Sequence, residues 1–385
     1  MKPLIVNDNI YIDNNATTQV DNRVLAEMLP YFSMNYGNAN SFHQYGAIAK
    51  EAVNMAREQV ADLVGAKSNE VVFTSGATES INTAIKGVAI SNTLKGKHIV
   101  TVETEHPAVL DTCKYLETLG FEVTYLSVQN NGLINLEELE SVLRLDTILV
   151  SVMYVNNETG IIQPVKEIAE ISHNVNALYF SDCTQAVGKL PINIDELGID
   201  LMCFSGHKIY GPKGIGALVV NCNRNQLLIN PLIHGGGHEG GIRSGTLNVP
   251  GIVGFGKACS LAQHLMEEDS MRIGELRDIL EKGLLRLPKC SVNGTPEHRV
   301  NNVTNICFSG REANVMLGLI KHVSASNGSA CTSATLEPSH VLKSMCLSNE
   351  DSFASIRFSL GRFNNDEDIE TVLKMFHDYY LRFPI

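Results

Sequence analysis

Residues 201–214 read LMCFSGHKIYGPKG, a short apolar run that leads into a lysine surrounded by small and turn-forming residues. A continuous apolar run bounded by turn signals predicts a strand that is buried on both faces of a parallel sheet. Lys208 would then lie just beyond the end of that strand, where burying a charged amine is costly. Burial lowers the pKa of a lysine, and the neutral amine is the form that makes a Schiff base. An ordinary lysine on a surface loop is the alternative when Lys208 is considered alone.

Runs of the same kind recur along the chain and alternate with amphipathic helical patterns. We predict seven strands, at residues 71–74, 98–102, 122–126, 148–152, 178–181, 201–204 and 217–220. In 49–63, apolar residues recur every three to four positions, as on one face of a helix. The alternation predicts an α/β fold with a mainly parallel seven-stranded sheet flanked by helices. Such sheets bind ligands beyond the carboxyl ends of their strands.

The alternation ends after Thr246, where a long helical pattern at 251–287 is followed by short strands and helices. We therefore predict a large domain over residues 14–258. Residues 1–13 and 259–385 are expected to form a smaller α+β domain that carries the loop around Cys331.

Composition limits the class of partner. The chain has 385 residues and a net charge of −12, which argues against nucleic acid or an anionic membrane as the main partner. No apolar run approaches the ~20 residues of a spanning helix, and the start shows no secretory signal, so we expect a cytoplasmic protein. Nine cysteines without a CxxC pair fit reduced thiols. His234 and His238 lack an evident third ligand, so we predict no metal site.

Residues that could bind a phosphate follow two of the predicted strands. The run SGATES at 75–80 lies where a strand leads into a helix, whose first N–H groups and positive dipole end can hold a phosphate. Ala77 and Thr78 lie in that first turn, and Ser205 and His207 next to the lysine can also bind phosphate oxygens. Simple helix capping is the alternative, and it is favoured for the run taken alone.

Further polar residues at strand ends suit the ring of pyridoxal phosphate. Asp182 could keep a pyridine nitrogen protonated, and Gln185 could bind the ring hydroxyl. His106 could stack on the ring and exchange protons near neutral pH. The ordinary alternatives are a helix cap for Asp182, a structural histidine for His106 and a simple turn for Asn157. A lysine, an acid and phosphate donors together predict a pyridoxal phosphate site.

Two residues of the predicted small domain also suggest chemistry. Cys331 lies in the small, polar segment 326–334, where a thiolate on a flexible loop could reach a substrate. Arg357 interrupts the apolar run 355–358, and a buried arginine needs an anion. That anion could be a substrate carboxylate or the carboxylate of a structural salt bridge. For Cys331, a surface cysteine of no consequence is the alternative.

In this order, the motifs resemble those of cysteine desulfurases of the NifS/IscS family, fold-type I pyridoxal phosphate enzymes of the class V aminotransferase group. The resemblance runs over nearly the whole chain. It rests on YIDNNATT at 11–18, SGATES at 75–80, EH at 105–106, VNNE at 155–158, SGHKIYGPKGIG at 205–216, HGGGHEGGIRSGT at 234–246 and GSAC at 328–331.

The resemblance implies a role for each matching position. Lys208 would be the Schiff-base lysine, Asp182 the partner of the pyridinium nitrogen and His106 the acid/base stacked on the ring. Cys331 would be the nucleophile that accepts sulfur. The phosphate would be bound by Thr78, Ser205 and His207, with Ala77 beside them and Thr246 reaching it from a second subunit. The ring oxygen would be bound by Gln185. The substrate carboxylate would be bound by Arg357 and by Asn157, which would also contact the cofactor.

The implied reaction converts L-cysteine to L-alanine, with His106 and Lys208 as proton carriers. Sulfur would move to Cys331 as a persulfide and then to an acceptor, and the enzyme would be a homodimer. The segment after Cys331 resembles the branch that hands sulfur to scaffold proteins. The chain ends at Ile385 without the extension with which some of that branch bind the iron–sulfur scaffold. A scaffold, a tRNA-thiolation enzyme or a DNA-modification pathway therefore stay open as acceptors.

The chain departs from the family pattern at a few positions. Ala39 and Asn40 stand where the family has proline and serine, and Cys183 stands where many relatives carry alanine. One rival hypothesis is a selenocysteine or cysteine lyase, against which Cys331 argues. Another is a platform protein that keeps the fold without turnover, against which the full set of catalytic residues argues.

Overall fold

The computed structural model describes residues 9–223, 228–327 and 337–384. Within these ranges the strands are β1 (Ile10–Tyr11), β2 (Val71–Thr74), β3 (His98–Val102), β4 (Glu122–Leu126), β5 (Thr147–Ser151), β6 (Leu178–Asp182), β7 (Leu201–Ser205), β8 (Gly216–Val220), β9 (Cys290–Val292), β10 (Val303–Phe308), β11 (Val323–Ser324) and β12 (Ser355–Ser359). The α-helices are α1 (Asn22–Met28), α2 (Pro30–Ser33), α3 (Gln44–Val64), α4 (Ala77–Ser91), α5 (Pro107–Glu117), α6 (Leu136–Val142), α7 (Val165–Asn174), α8 (Val249–Leu284), α9 (Ala313–Leu319), α10 (His340–Ser344), α11 (Asn349–Phe353) and α12 (Asp366–Arg382).

Strands β2 to β8 form the predicted seven-stranded sheet, in the order β2-β8-β7-β6-β5-β3-β4. Neighbours in β4, β3, β5, β6 and β7 run parallel, whereas β8 is antiparallel to both β7 and β2. All residues of β3, β5, β7 and β8 are buried, as the continuous apolar runs predicted. The predicted α/β fold is confirmed.

The sheet is covered on both faces because its side chains alternate across it. In β7, Met202 and Phe204 join a core with α3 and the first part of α8, whereas Leu201 and Cys203 join a second core with α4 and α5. Helices α3 and α8 approach closely: a Cβ added to Gly256 would lie 2.5 Å from the Cα of Ala56.

A third core lies around the three-stranded sheet β12-β10-β9. Phe308, Phe358 and Phe376 pack there with ring centroids 5.5–6.3 Å apart. Ile12 from the N-terminal segment and Leu280 from the second half of α8 belong to the same core. The long helix therefore connects two cores. No helix in the described ranges is long and apolar enough to cross a bilayer.

Candidate active site

The carboxyl ends of β2, β5, β6 and β7 face one cavity of about 580 Å³. Of the eleven predicted site residues that fall within the described ranges, ten line this cavity. They are Ala77, Thr78, His106, Asn157, Asp182, Gln185, Ser205, His207, Lys208 and Arg357. Their proximity follows from the parallel sheet, which brings these strand ends to one edge. Their individual roles stay predictions.

Lys208 lies in a 3-10 turn, Gly206–Lys208, directly after β7. Its Nζ donates to the carbonyl oxygens of Asn15 at 2.5 Å and Ala16 at 2.7 Å. Both carbonyls belong to the N-terminal segment, which crosses the cavity wall. These main-chain acceptors therefore hold the amine at the cavity.

Asp182 ends β6 and is 7% exposed. Its Oδ1 accepts a hydrogen bond from the Thr184 N–H at 2.9 Å, and the Cys203 thiol lies 3.7 Å from the same oxygen. This aspartate therefore does interact with the following turn, as the helix-cap alternative proposed, and also lines the cavity. The neighbouring Cys183, which stands where many relatives carry alanine, is fully buried in the core shared with α3 and α8. Burial raises the pKa of its thiol, which stays protonated.

His106 caps the N-terminus of α5. Its Nδ1 accepts from the Ala108 N–H at 3.1 Å, so the neutral ring carries its proton on Nε2. Burial is the main cause that lowers the pKa of His106, opposed by Asp182 and reinforced by Lys208 and His340. The imidazole is therefore neutral at neutral pH, and Nε2 is its proton-bearing atom.

The predicted phosphate site lies at the first turn of α4. Its N-cap is Gly76, which has a φ of 152° and offers no capping side chain. Just before the helix, the Ser75 N–H donates to Glu79 at 2.6 Å and the Gly76 N–H donates to Thr74 at 3.4 Å. Ser205 and His207 line the same cavity, and the Ser205 hydroxyl would lie 3.6 Å from a Cβ added to Gly76. Burial, with Lys208 and Lys213, lowers the pKa of His207 to about 4, which leaves a neutral ring. Hydroxyls, a neutral imidazole and a helix N-terminus together suit a phosphate.

Arg357 projects from β12 and its side chain is 2% exposed. One guanidinium nitrogen donates to the Asp13 carboxylate at 2.7 Å, and another donates to the Asn157 carbonyl at 3.0 Å. The Nε of Arg357 has no hydrogen-bond partner among the described residues. The structure thus contains the salt bridge that was the alternative for this arginine. Arg357 also lines the cavity, where a substrate carboxylate could bind to it.

Thr246 does not line the cavity of its own chain. It is exposed, at the end of the glycine-rich loop 234–246. Two ion pairs attach this loop to the large sheet region, between Arg57 and Glu239 and between Arg243 and Glu79. Among the described residues, no cluster of three or more His, Cys, Asp or Glu side chains could hold a metal ion.

Cys331 lies outside the described residues, as do the rest of 328–336. The residues on either side of this segment are held near the cavity. Ser326 donates to Asp13, the partner of Arg357, at 2.8 Å. His340 lines the cavity, and its Nε2 lies 2.9 Å from the Glu105 carbonyl oxygen.

Sequence reasoning missed several residues of the site. Asn15, Ala16 and Thr17 line the cavity, and the Thr17 hydroxyl lies 3.1 Å from Nδ1 of His207. Glu105 is fully buried beneath the site, and burial together with Asp182 raises the pKa of its carboxyl well above the usual range. The polar run at 14–18 was the available signal for the first group, and Glu105 is part of the EH motif at 105–106, from which no role for its carboxyl was inferred.

The cavity fits pyridoxal phosphate by the chemistry of its walls. The ligand needs an amine for its aldehyde, an acid for its pyridine nitrogen and donors for its phosphate. Lys208, Asp182 and the first turn of α4 supply these groups, and all of them line the same cavity. His106 is placed in the same cavity with a neutral ring, as a group that stacks on a heteroaromatic ring should be.

Comparisons with known proteins agree with this geometry. The family described as "Aminotransferase class-V" matches residues 10–372. "Cysteine desulfurase IscS" of Escherichia coli is 50% identical over 369 residues, which cover 95% of this chain and 91% of that protein. The solved structure "NIFS-LIKE PROTEIN" has a TM-score of 0.91 and 38% identity, covering 97% of this chain and 100% of the other. "SspA in complex with cysteine" has a TM-score of 0.82 and 37% identity, covering 92% and 99%.

Proposed function

Because the chain belongs to the class-V aminotransferase family and is a pyridoxal phosphate-dependent cysteine desulfurase, we propose how its residues divide the work. L-cysteine is the substrate and L-alanine the product, and sulfur leaves on an enzyme cysteine. The observation that supports this most strongly is the meeting of Lys208, Asp182, His106 and Arg357 in one cavity.

Pyridoxal phosphate, when bound, supplies an electron-withdrawing ring that makes the Cα proton of the substrate acidic. Asp182 would accept a hydrogen bond from the ring nitrogen and keep that nitrogen protonated. Lys208 would hold the group through its aldehyde, and its amine, once free, would take the Cα proton of the substrate. His106, with its proton on Nε2, is the second proton carrier.

Sulfur transfer is the role of Cys331. Its thiolate attacks the sulfur of the bound cysteine, an S–S bond forms and the Cβ–S bond breaks. The electron pair of the broken bond stays with the three-carbon fragment, which takes up a proton and leaves as alanine. The reaction needs no external oxidant. Formation of the S–S bond oxidises the two sulfur atoms by two electrons in total, and the carbon that exchanges its bond to sulfur for a bond to hydrogen takes up those two electrons.

A direct test is the identity of the carbon product. The purified chain with pyridoxal phosphate, L-cysteine and a thiol reductant is expected to release alanine and sulfide in equal amounts. A cysteine lyase would release pyruvate and ammonia instead, and a platform protein would release nothing. Either of these results would contradict the proposal.

Replacing Arg357 with lysine is expected to lower kcat/KM for cysteine about a hundredfold, mainly through KM. A lysine cannot donate two parallel hydrogen bonds to a carboxylate, and a buried charged contact of this kind is worth roughly 2–5 kcal/mol. The measurement is steady-state alanine formation, with the absorbance of the bound cofactor as a check that the site is intact.

The matched control is Arg299→Lys. Arg299 is equally buried and pairs with Glu281 at 2.7 Å, but it does not line the cavity. An equal loss of kcat/KM in both variants would mean that Arg357 acts only through its salt bridge with Asp13.

We propose a homodimer in which Thr246 of the partner subunit reaches the phosphate. Two features of a single chain support this arrangement. Thr246 is exposed and does not line the cavity of its own chain. Large apolar side chains that are more than half exposed are concentrated in residues 29–45, namely Leu29, Phe32, Met34, Tyr36, Phe42 and Tyr45. Such a concentration of exposed apolar side chains is typical of a protein–protein interface.

The dimer prediction is tested by mixing two defective chains. Lys208→Ala and Thr246→Ala chains, carrying different tags, are co-expressed and the heterodimer is isolated. If Thr246 serves the neighbouring site, one site of the heterodimer has both native residues, so turnover should reach about half that of the native dimer at limiting cofactor. No recovery above the Thr246→Ala homodimer, or an active monomer in light scattering, would overturn the arrangement.

We also propose that residues 14–258 form the large domain and that residues 1–13 and 259–385 together form the small one. We further propose a cytoplasmic location. The separate core around Phe308 and Phe376, which includes Ile12, supports the division. The eight cysteines within the described residues are all free thiols, which supports a reducing compartment. The sulfur acceptor is proposed to be a scaffold protein or a thiolation enzyme that receives the persulfide of Cys331.

A further inference from the structure

Lys189 is a second lysine beside Lys208, and no step above uses it. Its Nζ donates to Oε1 of Gln185 at 2.6 Å and to Oδ1 of Asn15 at 3.2 Å. Lys189 does not line the large cavity but lines a smaller one of about 30 Å³ behind Lys208. It therefore lies behind the site, where it can act on a ligand only through other residues.

The contacts of Lys189 determine which end of the Gln185 carboxamide faces which neighbour. The oxygen of that carboxamide accepts from Lys189, and its nitrogen donates to the main-chain oxygen of Asn15 at 2.9 Å. A main-chain oxygen can only accept, so the two contacts agree on one orientation. The second N–H of the Gln185 nitrogen is then the group that this residue offers to the cavity.

Asn15 joins this arrangement to the rest of the site. Its main-chain oxygen accepts from both Gln185 and Lys208, and its side-chain oxygen accepts from both Lys189 and Asn302. A change at Lys189 would thus remove the donor of the Gln185 oxygen, whereas the Asn15 side-chain oxygen would keep the hydrogen bond from Asn302. Burial, with the nearby charges of Lys208 and Arg357, lowers the pKa of Lys189 to about 7.

We propose that Lys189 is a positioning residue that holds the Gln185 carboxamide with its nitrogen toward the ring oxygen of the cofactor. Without Lys189, only the contact with the Asn15 main-chain oxygen holds this orientation, so the carboxamide turns more easily. In the turned orientation its oxygen would face an electron-rich ring oxygen, to which it cannot donate. The inference rests on the proposed role of Gln185 and extends it by naming the residue that sets its orientation.

The test is the affinity of the apoprotein for pyridoxal phosphate, together with the absorbance spectrum of the bound form. Lys189→Met preserves the length and bulk of the side chain but removes the donor, and it should weaken binding roughly tenfold and alter the spectrum. Lys189→Arg keeps the charge and the donors and should bind like the native chain. A purely structural role would give the reverse pattern, because methionine would keep the packing of the lysine stem and the larger arginine would disturb it.

A double-mutant cycle shows whether Lys189 acts through Gln185. If it does, Lys189→Met should have little further effect in a Gln185→Ala background. Lys95→Met is the control, since the Lys95 amine donates to the Asn176 carbonyl at the opposite end of the sheet. Equal losses in the methionine and arginine variants, or additive losses in the cycle, would overturn the inference.

The same data separate this inference from the proposed function. If Gln185→Ala binds the cofactor like the native chain, the role proposed for Gln185 is wrong. If Gln185→Ala weakens binding and Lys189→Met does not, only the role of Lys189 is wrong.

Discussion

Replacing Lys208 with alanine is expected to reduce alanine formation from cysteine by on the order of a thousandfold or more. The variant loses both the amine that joins the aldehyde carbon and the amine that takes the Cα proton. Because the phosphate site and Asp182 are untouched, the chain should still bind pyridoxal phosphate, but it should lack the absorbance of the cofactor bound through a Schiff base.

The control for this experiment is Lys95→Ala, which removes an amine at the opposite end of the sheet. It should keep both colour and activity. A Lys208→Ala chain with native activity would show that another lysine, such as Lys213 in the same cavity, serves as the Schiff-base residue.

Replacing Cys331 with serine is expected to lower the rate of sulfide release at least about a thousandfold. The colour of the bound cofactor and the binding of cysteine should not change. A serine hydroxyl is hardly ionised at neutral pH and is a far weaker nucleophile toward sulfur than a thiolate. The measurement combines sulfide release with mass spectrometry of the protein, in which the native chain gains the mass of one sulfur atom.

Cys346→Ser is the matched control, because Cys346 is an exposed cysteine in the same part of the chain. It should leave the rate of sulfide release unchanged. Native sulfide release from Cys331→Ser would favour a lyase, in which sulfur leaves without a protein thiol, and would refute the relay.

The sequence predicted the large sheet well because burial on both faces leaves continuous apolar runs. The run predicted at 201–204 is β7, Leu201–Ser205, and that at 178–181 is β6, Leu178–Asp182. The direction of a strand is not visible in such a run. The antiparallel placement of β8 between β2 and β7 therefore appeared only in the structure.

The site was predictable where chemistry-bearing residues directly follow strands. Asp182, Ser205 and Lys208 belong to this class, since parallel strands bring their carboxyl ends together. Contacts between distant parts of the chain were not predictable. Arg357 pairs with Asp13 across 344 positions, and no local pattern reports such a pair.

Lys189 shows the same limit at short range. In the sequence it follows a glycine and precedes Leu190 and Pro191, so it looks like an ordinary turn residue. Only the fold places its amine against Gln185, four positions earlier, and against Asn15 from the N-terminal segment. A polar residue in a turn takes its partners from the surrounding tertiary structure, which local sequence does not encode.

Peptide mapping of the cofactor-loaded chain after reduction with borohydride tests the central claim most directly. Reduction makes the bond between the coenzyme and its lysine permanent, so the modified residue can be identified by mass. A coenzyme-sized mass increase on the peptide that contains residue 208 is the expected result. An unmodified Lys208 in a fully loaded protein, with the label on another lysine or on none, would contradict the account.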